Sequence, residues 1–302
     1  MRRKFNDTGL CIPEKHFMAD TSAKMAQILK LVEEGAYFTI NRPRQYGKTT
    51  SIHSLFLALN KRDDYLAIQI SFEGIGDAVF ENEAVFCQSF VDDLAYRLEN
   101  THPEYADFLH KVTDTSVSFK KLSRAITQFV KNCREKIVVL IDEIDKASNN
   151  QLFLSFLGML RDKYLDADRG LDHTFQSVIL AGVHDIKSLK LKISPGSTGK
   201  YNSPWNIAID FKVEMSFTPR EIEPMLSEYA QERGVAMDAA EIAGQIYYYT
   251  SGYPYLVSKL CKFVDEDILP EKGLQQWERA DTDAAFKMIT YGGYSTTLFD
   301  SM

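Results

Sequence analysis

Two stretches of the chain hold residue types whose order suits chemistry on phosphate. In the first, Arg42-Pro43-Arg44-Gln45-Tyr46-Gly47-Lys48-Thr49-Thr50, the spacing approaches the G-x-x-x-x-G-K-S/T pattern of a loop that wraps phosphate oxygens. Backbone N–H groups of such a loop, and of the helix it opens, converge on the anion, and the positive end of the helix dipole favours it. Lys48 adds a point charge for the β and γ phosphates, and Thr49 offers its hydroxyl to magnesium. Gly47 lets the backbone approach closely, where a side chain would block it. Pro43, Arg44, Gln45, Tyr46 and Thr50 complete the candidate phosphate-binding set, while Arg42 stands where the pattern has its first glycine. A second run, Gly196-Ser197-Thr198-Gly199-Lys200, looks alike but follows no strand pattern and has Tyr201 where Ser or Thr is required. It is set aside.

The other stretch, Lys136 to Glu143, is an apolar strand ending in two carboxylates, Asp142 and Glu143. The C-terminal edge of such a strand meets the ligand crevice of an open α/β sheet. Asp142 would hold magnesium through water, opposite Thr49. Glu143 would polarise the water that attacks a γ-phosphate, a general-base role that a metal-bound Asp142 cannot also fill. Taken singly, each stretch has a plain reading: an exposed lysine after a turn, or solvated acids closing a buried strand. Their occurrence together, each after its own strand, favours the chemical reading. Asp145 is a third acid that reads as a helix cap or as support for the pair.

These groups need a scaffold, and the hydrophobic pattern predicts one. Five apolar runs read as strands: Ala36 to Ile40, Leu66 to Phe72, Ile137 to Ile141, Ser177 to Ala181 and Ile207 to Met215. Helical patterns near 22–34, 49–60, 80–99, 118–134 and 150–166 alternate with them. That alternation predicts an α/β fold, a five-stranded, mostly parallel sheet with helices on both faces. Residues 187–204, rich in Lys, Ser, Gly, Pro and Asn, read as a long loop. After Phe217 only helical patterns follow. Thr218-Pro219-Arg220-Glu221 is a capping box, Asp238 to Glu241 starts the next helix, Gly252 suits a left-handed helix end, and Pro254 opens another helix. The expected organisation is therefore a nucleotide-binding domain over 1–216 and a small helical lid domain over 217–302. The apolar end, Thr297 to Met302, fits either a truncated chain or a tail that packs.

With 45% hydrophobic and 25% charged residues in 302, the composition is that of a globular protein. Acidic residues outnumber basic ones by 42 to 35, so there is no overall basic surplus for nucleic acid. Cys11, Cys87, Cys133 and Cys261 lie far apart, without metal-ligand spacing, and read as reduced thiols. The polar start and the lack of a long apolar run predict a cytoplasmic, soluble protein with no membrane partner.

The two motifs resemble the Walker A and Walker B elements of AAA-like ATPases, and the whole chain is similar to the AAA-like, STAND-type P-loop ATPases of bacteria. The resemblance spans nearly all of the sequence. It is carried by Phe5-Asn6-Asp7-Thr8-Gly9-Leu10-Cys11-Ile12-Pro13 with His16-Phe17, the loop at 42–50, Leu140 to Asp145, Val178 to Ile186, and Thr250 to Leu256. It implies ATP and Mg2+ as ligands and hydrolysis competence through Glu143. It implies a polar sensor at His184, for which a plain loop histidine is the other reading. Gly252-Tyr253-Pro254 resembles the G-x-P element of STAND lids, which would put Pro254 near the base; helix punctuation explains the same residues. The first 20 residues would lie near the base, with Ile12, Pro13 or Phe17 as its apolar slot.

Arg161 or Arg169, at the end of the helix before the fourth strand, would serve as an arginine finger in a homo-oligomer, although surface arginines are common. Lys187, Lys190, Lys192 and Lys200 make their loop basic, which fits a solvated loop better than a nucleic-acid contact because no aromatics are interleaved. Two functions share this site: an ATPase driving work on a protein or nucleic-acid partner, and a slow nucleotide-gated switch. A small-molecule kinase fits less well, since no arginine-rich insert follows the third strand.

Overall fold

The computed structural model describes residues 2–147, 150–183, 205–273 and 275–291. They fall into two compact units, one of Ile28–Arg42 and Ile52–Lys212, the other of Met1–Gln27, Pro43–Ser51 and Val213–Met302. His184, the basic loop, the lookalike at 196–200 and the tail at 297–302 lie outside the described residues.

The first unit is built on four parallel strands, β1 (Phe38–Asn41), β2 (Tyr65–Ser71), β3 (Lys136–Asp142) and β4 (Ser177–Gly182), in the order β1-β4-β3-β2. Ser71 pairs with Asp142, Ile141 with Leu180 and Asn41 with Gly182, so the carboxyl ends of the strands share one edge. Every residue of β4, and all of β3 after Lys136, is buried, as expected when helices cover both faces. After α1 (Ser22–Glu33) and α2 (Lys48–Leu59) in the chain, helices α3 (Glu83–Leu98), α5 (Phe119–Asn132) and α6 (Gln151–Asp168) begin on Asn82, Ser118 and Asn150, whose side chains accept from backbone N–H groups of the first turn. Each such cap is worth about 1 kcal/mol. Phe72, Phe86, Phe153 and Phe156 are buried together, each contributing roughly 1.5–3 kcal/mol by leaving water. Lys163 is also buried, with its ammonium 2.7 Å from both the Asp172 carboxylate and the Thr127 hydroxyl.

The fifth strand expected at Ile207 to Met215 does not form. A single parallel bridge links Phe38 to Ile209, where the Ile209 N–H donates to the Tyr37 carbonyl. Ile209 and Asp210 are both exposed, which breaks the period of two before a ladder can continue. The alternation beyond them records burial of Phe211, Val213 and Met215. A helix the pattern did not predict, α4 (Pro103–Thr113), starts with Pro103 in its first turn and buries Tyr105, Ala106 and Leu109.

The second unit holds the helices α7 (Pro219–Arg233), α8 (Ala239–Thr250), α9 (Pro254–Phe263), α10 (Leu269–Lys272) and α11 (Arg279–Tyr291). The capping box closes as expected, with the Thr218 N–H donating to the Glu221 carboxylate at 2.6 Å. Asp238 caps α8 through the Glu241 N–H. Gly252 has φ of +74°, and a Cβ on it would lie 1.8 Å from the Phe217 carbonyl oxygen. No other residue fits there. Phe5 and Phe17 from the N-terminal segment pack against Tyr229 at 5.0 and 5.3 Å between ring centres. Arg3 pins the segment through ion pairs to Glu228 and Glu232.

Candidate functional site

Residues 43–50 of the phosphate loop lie in the second unit, and Arg42 lies in the first. Gln45 and Gly47 both have left-handed backbones, with φ of +62° and +74°. Such a turn is natural for glycine and strained for glutamine. Among the described residues nothing beyond its chain neighbours lies within 4 Å of where a Gly47 Cβ would be, so packing does not demand glycine there and its backbone conformation does. Helix α2 (Lys48–Leu59) begins at Lys48, and the Ser51 N–H donates to the Gly47 carbonyl to close its first turn. Lys48 is 8% exposed, and its ammonium donates to the Pro43 carbonyl at 3.0 Å, drawing the two ends of the loop together. Thr49 is exposed, while the Thr50 hydroxyl accepts from the Cys11 N–H at 3.2 Å. The N-terminal segment therefore lies beside the first turn of α2.

A contact that sequence reasoning missed reaches the same loop. The Tyr253 hydroxyl donates to the Arg44 carbonyl at 2.9 Å and sits 3.3 Å from the Gln45 side-chain oxygen. Its ring lies 4.8 Å from that of Tyr46. Tyr253 is placed by its neighbours, since Gly252 accepts from the Phe217 N–H and Pro254 sits buried at the start of α9. The sequence signal for it is the Gly-Tyr-Pro element, in which Tyr253 stands at the unspecified position of G-x-P. Phe17, expected near a base, is instead committed to the helical core at 3% exposure; Ile12 is half-buried and Pro13 exposed.

The acidic pair lies in the first unit. Asp142 ends β3 and is 4% exposed, and its carboxylate accepts from the Glu143 N–H at 2.9 Å. Glu143 has φ of +54°, a left-handed turn that swings the chain out of the strand and into a short 3-10 turn at Ile144–Lys146. Asp145 in that turn accepts the Val183 N–H on both carboxylate oxygens, at 2.8 and 2.7 Å, and so ties the turn to the end of β4. Arg42 continues from β1 at the same edge. Its N–H donates to the Gly182 carbonyl at 3.2 Å, and its guanidinium donates to Asn41 and lies 5.6 Å from the Phe211 ring centre. Arg42 is not among the left-handed residues. Its place in the pattern therefore does not need glycine here.

Of the outlying candidates, Arg161 donates to Asn206 at 2.8 Å and Arg169 lies 3.8 Å from Asp166. Among the described residues no group of three or more His, Cys, Asp or Glu is arranged to hold a metal. The Thr49 hydroxyl, in the second unit, and the Asp142 carboxylate, in the first, are each hard oxygens. Each is the kind of donor that magnesium takes, alongside substrate phosphates and water. The four cysteines are free, and burial pushes the thiols of Cys87 and Cys133 up to about 12. No described helix is long and apolar enough to cross a membrane.

No curated protein matches this sequence. Among solved structures, the fold is similar to Cdc6p from Pyrobaculum aerophilum, with a TM-score of 0.53 and 13% identity over 97% of this chain and 72% of that one. It is also similar to the ORC2 protein of Aeropyrum pernix, solved as ADPNP-ADP complexes, with a TM-score of 0.52 and 12% identity over 94% of this chain and 70% of that one. At these identities the likeness is one of fold, and it supports a P-loop NTPase-like α/β architecture. The AAA-like domain family matches over residues 14–283, and this chain belongs to it.

Proposed function

We propose that the chain binds ATP with Mg2+ and hydrolyses it. The observation that carries this reading is Lys48, buried at the first residue of α2 and reached through a left-handed Gly47, with its ammonium drawn back over the loop onto the Pro43 carbonyl. A helix start of this form presents N–H groups and a fixed cation to an anion. In this reading residues 43–50 cradle the phosphates, Thr49 and Asp142 are the magnesium ligands, and Glu143 takes the proton of the attacking water. Bound magnesium would neutralise charge that develops on the phosphate oxygens. The left-handed Glu143 supports its separate role, because its backbone turns away from the strand direction that Asp142 follows.

Phosphate release from ATP by the purified protein, with and without a magnesium chelator, tests the proposal. The expected result is turnover that disappears with the chelator; release that persists unchanged would contradict the magnesium assignment.

Whether turnover drives work on a partner or only resets a switch is a separate matter, and one contact favours a switch of STAND type. Tyr253 belongs to the Gly-Tyr-Pro element and holds the backbone of the phosphate loop. A nucleotide that rearranges Arg44 or Gln45 would therefore be felt at the start of α9, provided it binds the two arrangements with different affinity. Hydrogen exchange tests this: ATP-Mg should protect both 42–50 and 250–262, and protection of the loop alone would remove the switch reading. The partner, protein or nucleic acid, would then respond to that element.

A further inference from the structure

Asp145 lies three residues beyond Asp142, and nothing in the proposed chemistry calls on it. Yet it is the described side chain that ties the turn after β3 to the end of β4, through the Val183 N–H that reaches both of its oxygens at 2.8 and 2.7 Å. The two elements also meet through packing. A Cβ on Gly182 would lie 2.8 Å from Ile144 Cγ1 and 3.0 Å from the Asp145 carboxylate, so the last residue of β4 must be glycine for the turn to sit where it does. Gly182 has no left-handed backbone, so the demand on it is one of space alone. Between these anchors stands Glu143, held left-handed at φ of +54°. A non-glycine residue persists in that region only when its surroundings over-determine it. Asp142 fixes the near side through the Glu143 N–H, and Asp145 fixes the far side through Val183.

We infer that Asp145 is a positioning residue for Glu143: its carboxylate, locked on Val183 against a side-chain-free Gly182, holds the turn that aims the Glu143 carboxylate. The inference rests on the reading of Glu143 as general base. A hydrogen bond from an N–H to a carboxylate is about twice as strong as one to a neutral acceptor. Asp145→Asn therefore weakens the tie and Asp145→Ala removes it. Both substitutions leave residues 43–50 as they are in the sequence. Gly182→Ala attacks the same turn from the β4 side with an intact Asp145.

The test measures three quantities for Asp145→Asn, Asp145→Ala and Gly182→Ala: kcat for ATP hydrolysis, ATP affinity by calorimetry, and hydrogen exchange at Val183 and over 143–147 without nucleotide. The expected outcome is a fall in kcat, reaching about 10²-fold for the alanine at 145 as misplacement of a reacting group does. ATP affinity should stay unchanged, and exchange should be faster at Val183 and in the turn. A kcat equal to that of the parent in all three variants, with faster exchange, would overturn the positioning role. Unchanged exchange would overturn the tie itself, even if the parent hydrolysed no ATP. A parent without turnover but with faster exchange in the variants would instead sink the general-base reading, and the positioning inference with it.

Discussion

The Tyr253 hydroxyl donates to the carbonyl of Arg44, across 209 residues of sequence, at 2.9 Å. This hydrogen bond takes a carbonyl oxygen and not one of the N–H groups that an anion would need. The contact thus holds the loop in a form suited to binding and adds no competitor for phosphate. Tyr253→Phe keeps the ring against Tyr46 and removes only the hydroxyl. One such hydrogen bond is worth about 1 kcal/mol, so ATP affinity should weaken by roughly fivefold. Calorimetry giving equal or tighter ATP binding for the variant would show that the contact does not prepare the loop.

Arg42 offers a second check, because it stands where the phosphate-loop pattern has glycine. Its backbone is not left-handed, and its guanidinium lies over Phe211. Arg42→Gly should therefore lower the stability of the fold by about 0.5–1 kcal/mol, through the lost cation–π contact and a more flexible unfolded chain. ATP affinity should remain as it was. A clear gain in affinity would show that the arginine constrains the loop.

Much of this arrangement was legible in the sequence because it depends on local rules. Gly47-Lys48-Thr49 followed an apolar run and opened a helical pattern, and both features are present as β1 and α2. Thr218 with Glu221, and Asp238, announced their helix starts through side-chain chemistry that needs no tertiary partner. What stayed hidden depends on contacts distant in sequence. The alternation at 207–215 looked like a strand, but pairing is decided by the neighbour, and Ile209 is the one bridging residue. Helix α4 went unread although Pro103 marks its first turn and Tyr105, Ala106 and Leu109 share a face. The links from Tyr253 to Arg44 and from Asp145 to Val183 join residues 209 and 38 positions apart, beyond the reach of any periodicity. The left-handed Glu143 carried no sequence mark, since that backbone is uncommon for any residue but glycine, asparagine or aspartate.

The acidic pair separates binding from chemistry. Glu143→Gln keeps the size of the side chain and removes its basicity, so ATP should still bind while hydrolysis falls by about 10²–10⁴-fold, as when a general base is lost. Asp142→Ala should instead weaken the magnesium-dependent part of binding. Equal hydrolysis by the Glu143 variant and its parent would take Glu143 out of the mechanism, and an unchanged magnesium requirement in the Asp142 variant would do the same for Asp142.

The account stands most directly on Lys48, whose ammonium is the cation fixed at the start of α2. Lys48→Ala removes that charge and leaves the backbone of the loop able to form. Titration of ATP-Mg into the parent and the variant by calorimetry is the decisive measurement. The account predicts heats of binding for the parent and none for Lys48→Ala, with both proteins folded by circular dichroism. The same ATP affinity in both proteins would contradict it.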